Sequence, residues 1–138
     1  MSKRHISIID DDYICRMVVR KQVASSAYET RTSEFENGQA AVDYYIENSA
    51  APAELPDVLF LDIFMPILDG WQFLERFAEL SSVITKSPQI FILSSTLDVN
   101  DIERAEENPL VSGFIPKPVN LRQVERIIHK SQYYGLTA

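Results

Sequence analysis

The chain has 138 residues, 46% of them hydrophobic and 24% charged, with a formal net charge of −7. That is enough for one globular domain with a real core. The acidic balance argues against nucleic acid, because no Lys/Arg run goes beyond the pairs Lys3-Arg4 and Arg20-Lys21. No apolar segment nears the length of a membrane span, no signal-peptide core opens the chain, and the single Cys15 can form no internal disulfide. The expectation is a soluble, cytoplasmic protein in which Cys15 packs as a small apolar residue.

His5 to Ile9 reads as a short strand, followed at once by Asp10, Asp11 and Asp12. Asp12 is placed to cap a helix over 13–27, with Ile14, Met17, Val18 and Val23 as its buried stripe and Arg16, Arg20 and Lys21 solvated. Thr30 to Phe35 is a second, less apolar strand, suited to a sheet edge, and a helix to about Asn48 follows the Asn37-Gly38 turn. Ser49 to Pro56 is linker-like but too short to divide domains. Asp57 to Asp62 is a third strand whose run Val58 to Leu61 suits burial on both faces. Past Pro66, a helix is expected over 70–80 with Leu74, Phe77 and Ala78 on its apolar face, flanked by Phe73 and Leu80. Pro88 to Leu93 is a fourth strand, Val99 to Glu107 an exposed acidic helix stopped by Pro109, and Gly113 to Pro116 a short fifth strand. Leu121, Val124, Ile127 and Ile128 mark a last amphipathic helix, and Tyr133 to Ala138 a tail.

Five strands alternating with five helices imply an α/β fold. Its five-stranded parallel sheet is doubly wound by right-handed crossovers, and 2-1-3-4-5 is the common strand order for such units. In that order the ends of strands one, three, four and five lie side by side, which gathers Asp10, Asp11, Asp62, Ser94 and Lys117 on one rim. Three carboxylates in contact repel one another, and a hard divalent cation such as Mg2+, together with Lys117, brings their formal charge to zero. A phosphoryl group placed there would meet the metal, the Lys117 ammonium and the Ser94 hydroxyl, and a carboxylate attacking phosphorus gives an aspartyl phosphate. Asp12 reads as a cap rather than as part of this cluster.

The segments Ile9-Asp10-Asp11-Asp12, Phe60-Leu61-Asp62 through Met65-Pro66 to Asp69-Gly70, Leu93-Ser94-Ser95, and Gly113-Phe114 through Lys117-Pro118 resemble the receiver domain of two-component response regulators. The resemblance covers nearly the whole chain and implies the flavodoxin-like form of the sheet above. It implies Asp62 as phosphoacceptor, Asp11 as a direct Mg2+ ligand, Asp10 as a ligand through water, and the Phe64 backbone carbonyl as a further ligand. It also implies Ser94 as the hydroxyl that closes on the phosphoryl group, Lys117 as the ion-pairing lysine, and Phe114 as the aromatic switch. Ser94 stands where Thr is commoner, and Phe64 is large and apolar where many relatives carry a small or polar residue.

The expectation is therefore a stand-alone receiver spanning 1–138 with no effector domain. It takes a phosphoryl group from a sensor histidine kinase or histidine phosphotransfer protein and signals by its affinity for a downstream protein that the sequence does not name. It is a switch rather than an enzyme, capable only of Mg2+-dependent self-phosphorylation and autodephosphorylation. A Mg2+-dependent phosphohydrolase would need an acid/base carboxylate two residues after its nucleophile, where this chain has Phe64. A degenerate receiver used only for binding conflicts with the intact acceptor, acid pair and lysine.

Overall fold

The computed structural model describes residues 3–132, so the tail expected at Tyr133 to Ala138 lies outside the described residues. Strands β1 (Arg4–Ile9), β2 (Thr30–Phe35), β3 (Val58–Asp62), β4 (Gln89–Ser94) and β5 (Val111–Pro116) alternate with helices α1 (Tyr13–Ser25), α2 (Gly38–Glu47), α3 (Gly70–Leu80), α4 (Val99–Glu107) and α5 (Leu121–Ser131). All four strand pairings are parallel, in the order β2-β1-β3-β4-β5. This is the doubly wound, flavodoxin-like sheet expected of alternating βα units. No described helix is long and apolar enough to cross a membrane.

β3 sits at the centre because each of its residues can be buried on both faces, and its whole length is buried. One apolar layer joins Leu59, Leu61 and Ile92 to Tyr45, Phe73 and Phe77 from α2 and α3. The other joins Ile6, Ile8 and Phe60 to Val19, Val23, Val124 and Ile128 from α1 and α5. β2 is an edge strand, as its mixed composition suggests, and is only half-buried.

Four expectations need correction. The buried row of α1 is Val19 and Val23, not a stripe from Ile14; Ile14 is 58% exposed, and Met17 and Val18 are half-buried. Starting the row one residue early turns the face by about 100°. Arg16 is not simply solvated: its side chain pairs with Glu34 at 3.3 Å and donates to the Asp10 carbonyl at 2.6 Å. On α3, Ala78 is exposed, while Trp71 and Phe73 go inside with Leu74 and Phe77. β5 also starts earlier than expected, at Val111. The register shifts so that Ile90 faces Val111 and Phe91 faces Gly113, leaving Ser112 as the extra residue of a bulge.

His5, at the start of β1, is buried, with Nε2 2.8 Å from Ser33 Oγ and Nδ1 3.3 Å from the Arg31 guanidinium. Burial and the Arg31 charge push its pKa down to about 4. The unfolded chain therefore protonates first as pH falls from about 6.5. The neutral imidazole supports the fold fully above that pH, and this support is lost as pH falls through 4. Because Arg31 is at the surface and screened, we expect the loss to be about 2 kcal/mol. In urea unfolding, His5→Gln should gain that much stability relative to the wild type as pH falls from 7 to 4; a difference that does not change with pH would contradict it.

Candidate acidic site at the strand ends

Asp10 directly follows β1 and is buried, whereas Asp11 beside it is exposed. Asp62 closes β3 and is 7% exposed. One carboxylate oxygen from each of the three lies within 4.8 Å of the others. Lys117 follows β5 and reaches across the sheet end, its Nζ 2.8 Å from Asp10 Oδ2 and 3.4 Å from Asp62 Oδ1. The lysine backbone is pinned by donation from its N–H to the Ser94 carbonyl at 2.8 Å, and the Lys117-Pro118 peptide is cis. The ends of β1, β3 and β5 therefore supply the charged groups, and the end of β4 anchors the lysine backbone, as their parallel order requires.

The local chain aims these groups. Asp12 caps α1, its carboxylate accepting from the Ile14 N–H at 2.9 Å, while its own N–H donates to Asp10 Oδ1 at 3.0 Å. Capping is thus the role the structure gives Asp12, as the sequence suggests. Asp69 and Gln72 form a capping box at α3, and the Gly70 N–H donates to the Ile63 carbonyl at 2.7 Å. A Cβ on Gly70 would stand 2.5 Å from the Asp62 carbonyl oxygen, so only glycine lets α3 start this close to the end of β3.

Burial, and after it the charge of Asp10, pushes the Asp62 carboxyl up to about 6, with the Lys117 ammonium working the other way. Burial acts to lower the Lys117 pKa, but its hydrogen bond to Asp10 and the two facing carboxylates outweigh burial and raise it, so Lys117 stays an ammonium. The cluster holds more negative than positive charge, and its close-set carboxylates suit a hard divalent metal. Ser94 is buried at the end of β4, its Oγ 3.3 Å from Thr96 Oγ1 and accepting from the Thr96 N–H at 3.2 Å.

Asp10, Asp11, Asp62 and Lys117 are thus brought together, with Ser94 tied to them through the Lys117 backbone. Phe64 stands out from the loop after β3 and is 59% exposed. Phe114 lies apart from the carboxylates. It is half-buried on β5 and lines a cavity of about 210 Å3 with Ala105, Glu106 and Gly113, between α4 and the sheet edge. Cys15 departs from the simple apolar role expected of it. Its thiol donates to Asp12 Oδ2 at 3.3 Å and lies 3.7 Å from Lys117 Nζ, while burial and the Asp12 bond raise its pKa. The support from Arg16 and the close approach at Gly70 were also missed. Asp69-Gly70 marks a break in the sequence, but nothing there shows what the glycine touches.

A family model described as the response regulator receiver domain matches residues 6–129. The chain is 24% identical to the probable methanogenesis regulatory protein FilR2 of Methanothrix harundinacea, over 95% of this chain and 83% of the relative. It is 32% identical to the chemotaxis protein CheY of Bacillus subtilis, over 91% of this chain and 95% of that one. Some other relatives are longer proteins, of which it spans 25% to 34%. Among solved structures, a two-component response regulator from Cytophaga hutchinsonii superposes with a TM-score of 0.85 at 23% identity, covering 96% of this chain and 98% of that one. With the matched model covering most of its length, the chain, whose strand ends carry the acidic cluster described above, belongs to the response regulator receiver domain family.

Proposed function

We propose that the chain is a phosphorylation switch in a two-component phosphorelay. Asp62 takes a phosphoryl group from a phosphohistidine on a sensor histidine kinase or histidine phosphotransfer protein. The output is a change in affinity for a downstream protein. The observation that carries this reading is the Lys117 ammonium held between the buried Asp10 and Asp62 carboxylates at 2.8 and 3.4 Å, on the rim where a phosphoryl group can enter. The setting proposed is the cytoplasm, where the Cys15 thiol stays reduced.

An Asp62 carboxylate oxygen attacks phosphorus as the P–N bond of the phosphohistidine breaks. The bonding pair stays on the imidazole nitrogen, which takes a proton from solvent. Asp10, Asp11, Asp62 and the Phe64 carbonyl would hold Mg2+, which when bound supplies positive charge to the phosphoryl oxygens. Lys117 exchanges its contact with Asp62 for a phosphoryl oxygen and keeps Asp10. Ser94 gives up its contact with Thr96 and donates its hydroxyl to another oxygen. Moving Ser94 inward vacates space that the Phe114 ring takes up.

The test is incorporation of base-labile phosphate from phosphoramidate with Mg2+, followed by Trp71 fluorescence. Trp71 is buried in the first turn of α3, with the Arg104 guanidinium 4.5 Å above its ring, so it reports on the contact between α3 and α4. Absence of incorporation would overturn the proposal.

The lifetime of the phosphorylated form follows from Phe64. Hydrolysis needs a water aligned opposite the leaving carboxylate, and the residue two after Asp62 borders that approach. A bulky ring with no polar group shields phosphorus without orienting water, whereas Thr96 offers only one hydroxyl. Phe64→Asn should speed autodephosphorylation about tenfold, equivalent to roughly 1.4 kcal/mol off the barrier. Equal half-lives in Mg2+ would refute shielding.

A further inference from the structure

Among the described residues, Ile67 is the one non-glycine with a positive φ, at 71°. The Leu68 N–H donates to the Pro66 carbonyl across it at 2.8 Å, which makes Ile67 the centre of a γ-turn of the strained hand. Glycine or asparagine adopts this conformation readily; a β-branched residue is an outlier there. The turn itself has a structural cause. Met65 before it and Leu68 after it are buried, and Leu68 packs so close to α2 that a Cβ on Gly38 would come 2.9 Å from its carbonyl oxygen. Gly70 is tied to Ile63, so the chain must reverse within this short span. The reversal needs the backbone conformation but not isoleucine. The side chain is 77% exposed, and the packing of the fold gives it no task.

The neighbours of Ile67 suggest one. Of the eight exposed large hydrophobic residues among the described ones, six follow the carboxyl ends of strands: Tyr13 and Ile14 after β1, Phe64 and Ile67 after β3, Leu97 and Val99 after β4. Ile46, near the end of α2, and Val83, beyond α3, are the two exceptions. An apolar collar therefore surrounds the acidic site. Asp62 is nearly buried within it, and attack requires phosphorus to approach within about 3.5 Å of its oxygen. A small phosphodonor can enter without touching the collar. A protein that brings its phosphohistidine that close must cover the collar.

We propose that Ile67 is a specificity-determining contact for the phosphohistidine protein that loads Asp62. The face it meets is apolar and flanked by basic residues that complement the exposed Asp11, Asp12 and Asp98. The strain at Ile67 is retained for that contact. This rests on the phosphorelay reading above.

The variants Ile67→Gly and Ile67→Asn relieve the turn, and Ile67→Val keeps the branched side chain. Phosphoramidate labelling measures the chemistry at Asp62. Transfer is measured from whichever of a panel of autophosphorylated histidine kinases loads the wild type fastest. Glycine and asparagine should raise the melting temperature, leave phosphoramidate labelling within twofold, and slow protein-to-protein transfer at least tenfold; valine should transfer like the wild type. Undiminished transfer in the glycine and asparagine variants, or an equal fall in phosphoramidate labelling, overturns the contact role. A melting temperature that does not rise overturns the strain. If no kinase loads a wild type that phosphoramidate labels, the phosphorelay reading fails and the inference with it, a result distinct from equal transfer among the variants.

Discussion

Asp62→Asn should abolish base-labile labelling from phosphoramidate and, without divalent metal, make the protein more stable at pH 7 by about 2 kcal/mol. Loss of labelling follows because the amide oxygen is no nucleophile and the other buried carboxylate, Asp10, has both oxygens engaged, by Lys117 Nζ and the Asp12 N–H. The gain in stability follows from the cost of keeping Asp62 ionised, buried beside Asp10, with its folded pKa pushed up to about 6. The unfolded carboxyl titrates near 3.9, so between these values the folded protein holds the extra proton. The wild-type carboxyl is therefore tolerated at low pH, and its cost appears as pH rises through 6. The advantage of asparagine should be full at pH 7 and fade as pH falls toward 4, and added Mg2+ should reverse it by stabilising only the wild type. Denaturant unfolding across that range checks it. Residual labelling at the wild-type rate would move the acceptor elsewhere, and a less stable variant would make the carboxylate structural.

The same pH window holds the opposing effect of His5, whose neutral form supports the fold and is lost on acidification. In the wild type the two largely offset, one gaining as the other fails. Each single variant therefore uncovers the limb that the other residue hides. Asp62→Asn should show stability falling between pH 6.5 and 4, and His5→Gln stability rising between pH 6 and 4.

These groups differ in how far the sequence discloses them. Asp62 was legible because an unbroken apolar run can end only where the buried strand ends, and a parallel sheet aligns such ends with those of its neighbours. Asp10, Ser94 and Lys117 follow by the same reasoning. The acidic helix α4 and the edge position of β2 were legible from polarity alone. The face of α1 was not, because Ile14, Met17, Val18, Val19 and Val23 offer two apolar rows one residue apart. Only packing against Ile6, Ile8 and Val124 chooses Val19 and Val23. The contact of Cys15 with Lys117, the support of Asp10 by Arg16, and the approach of Gly70 to Asp62 all join residues distant in sequence or depend on backbone path. The γ-turn at Ile67 was illegible for a different reason: local preference argues against isoleucine there, and only the anchoring of Leu68 and Gly70 imposes it.

Lys117→Met tests the ammonium that ties the strand ends together. Its removal leaves Asp10 and Asp62 buried and facing each other, with no cation between them. Removing one partner of a buried charge pair is costly even where the pair itself adds little, so the metal-free protein should lose about 3 kcal/mol at pH 7. The loss should shrink on acidification, because a proton on Asp62, whose pKa burial raises, replaces the missing charge. Mg2+ should bind the variant more tightly than the wild type, since Lys117 no longer repels it or occupies Asp10 Oδ2. Labelling by phosphoramidate should nevertheless slow by about a hundredfold, the usual cost of removing one preorganised group from charge that develops in the transition state. Tighter metal with slower transfer separates Lys117 as a partner of the phosphoryl group from Lys117 as a structural counterion, which would leave transfer at saturating Mg2+ unchanged. Isothermal titration with Mg2+ and single-turnover labelling measure the two arms independently, and transfer at the wild-type rate would remove Lys117 from the chemistry.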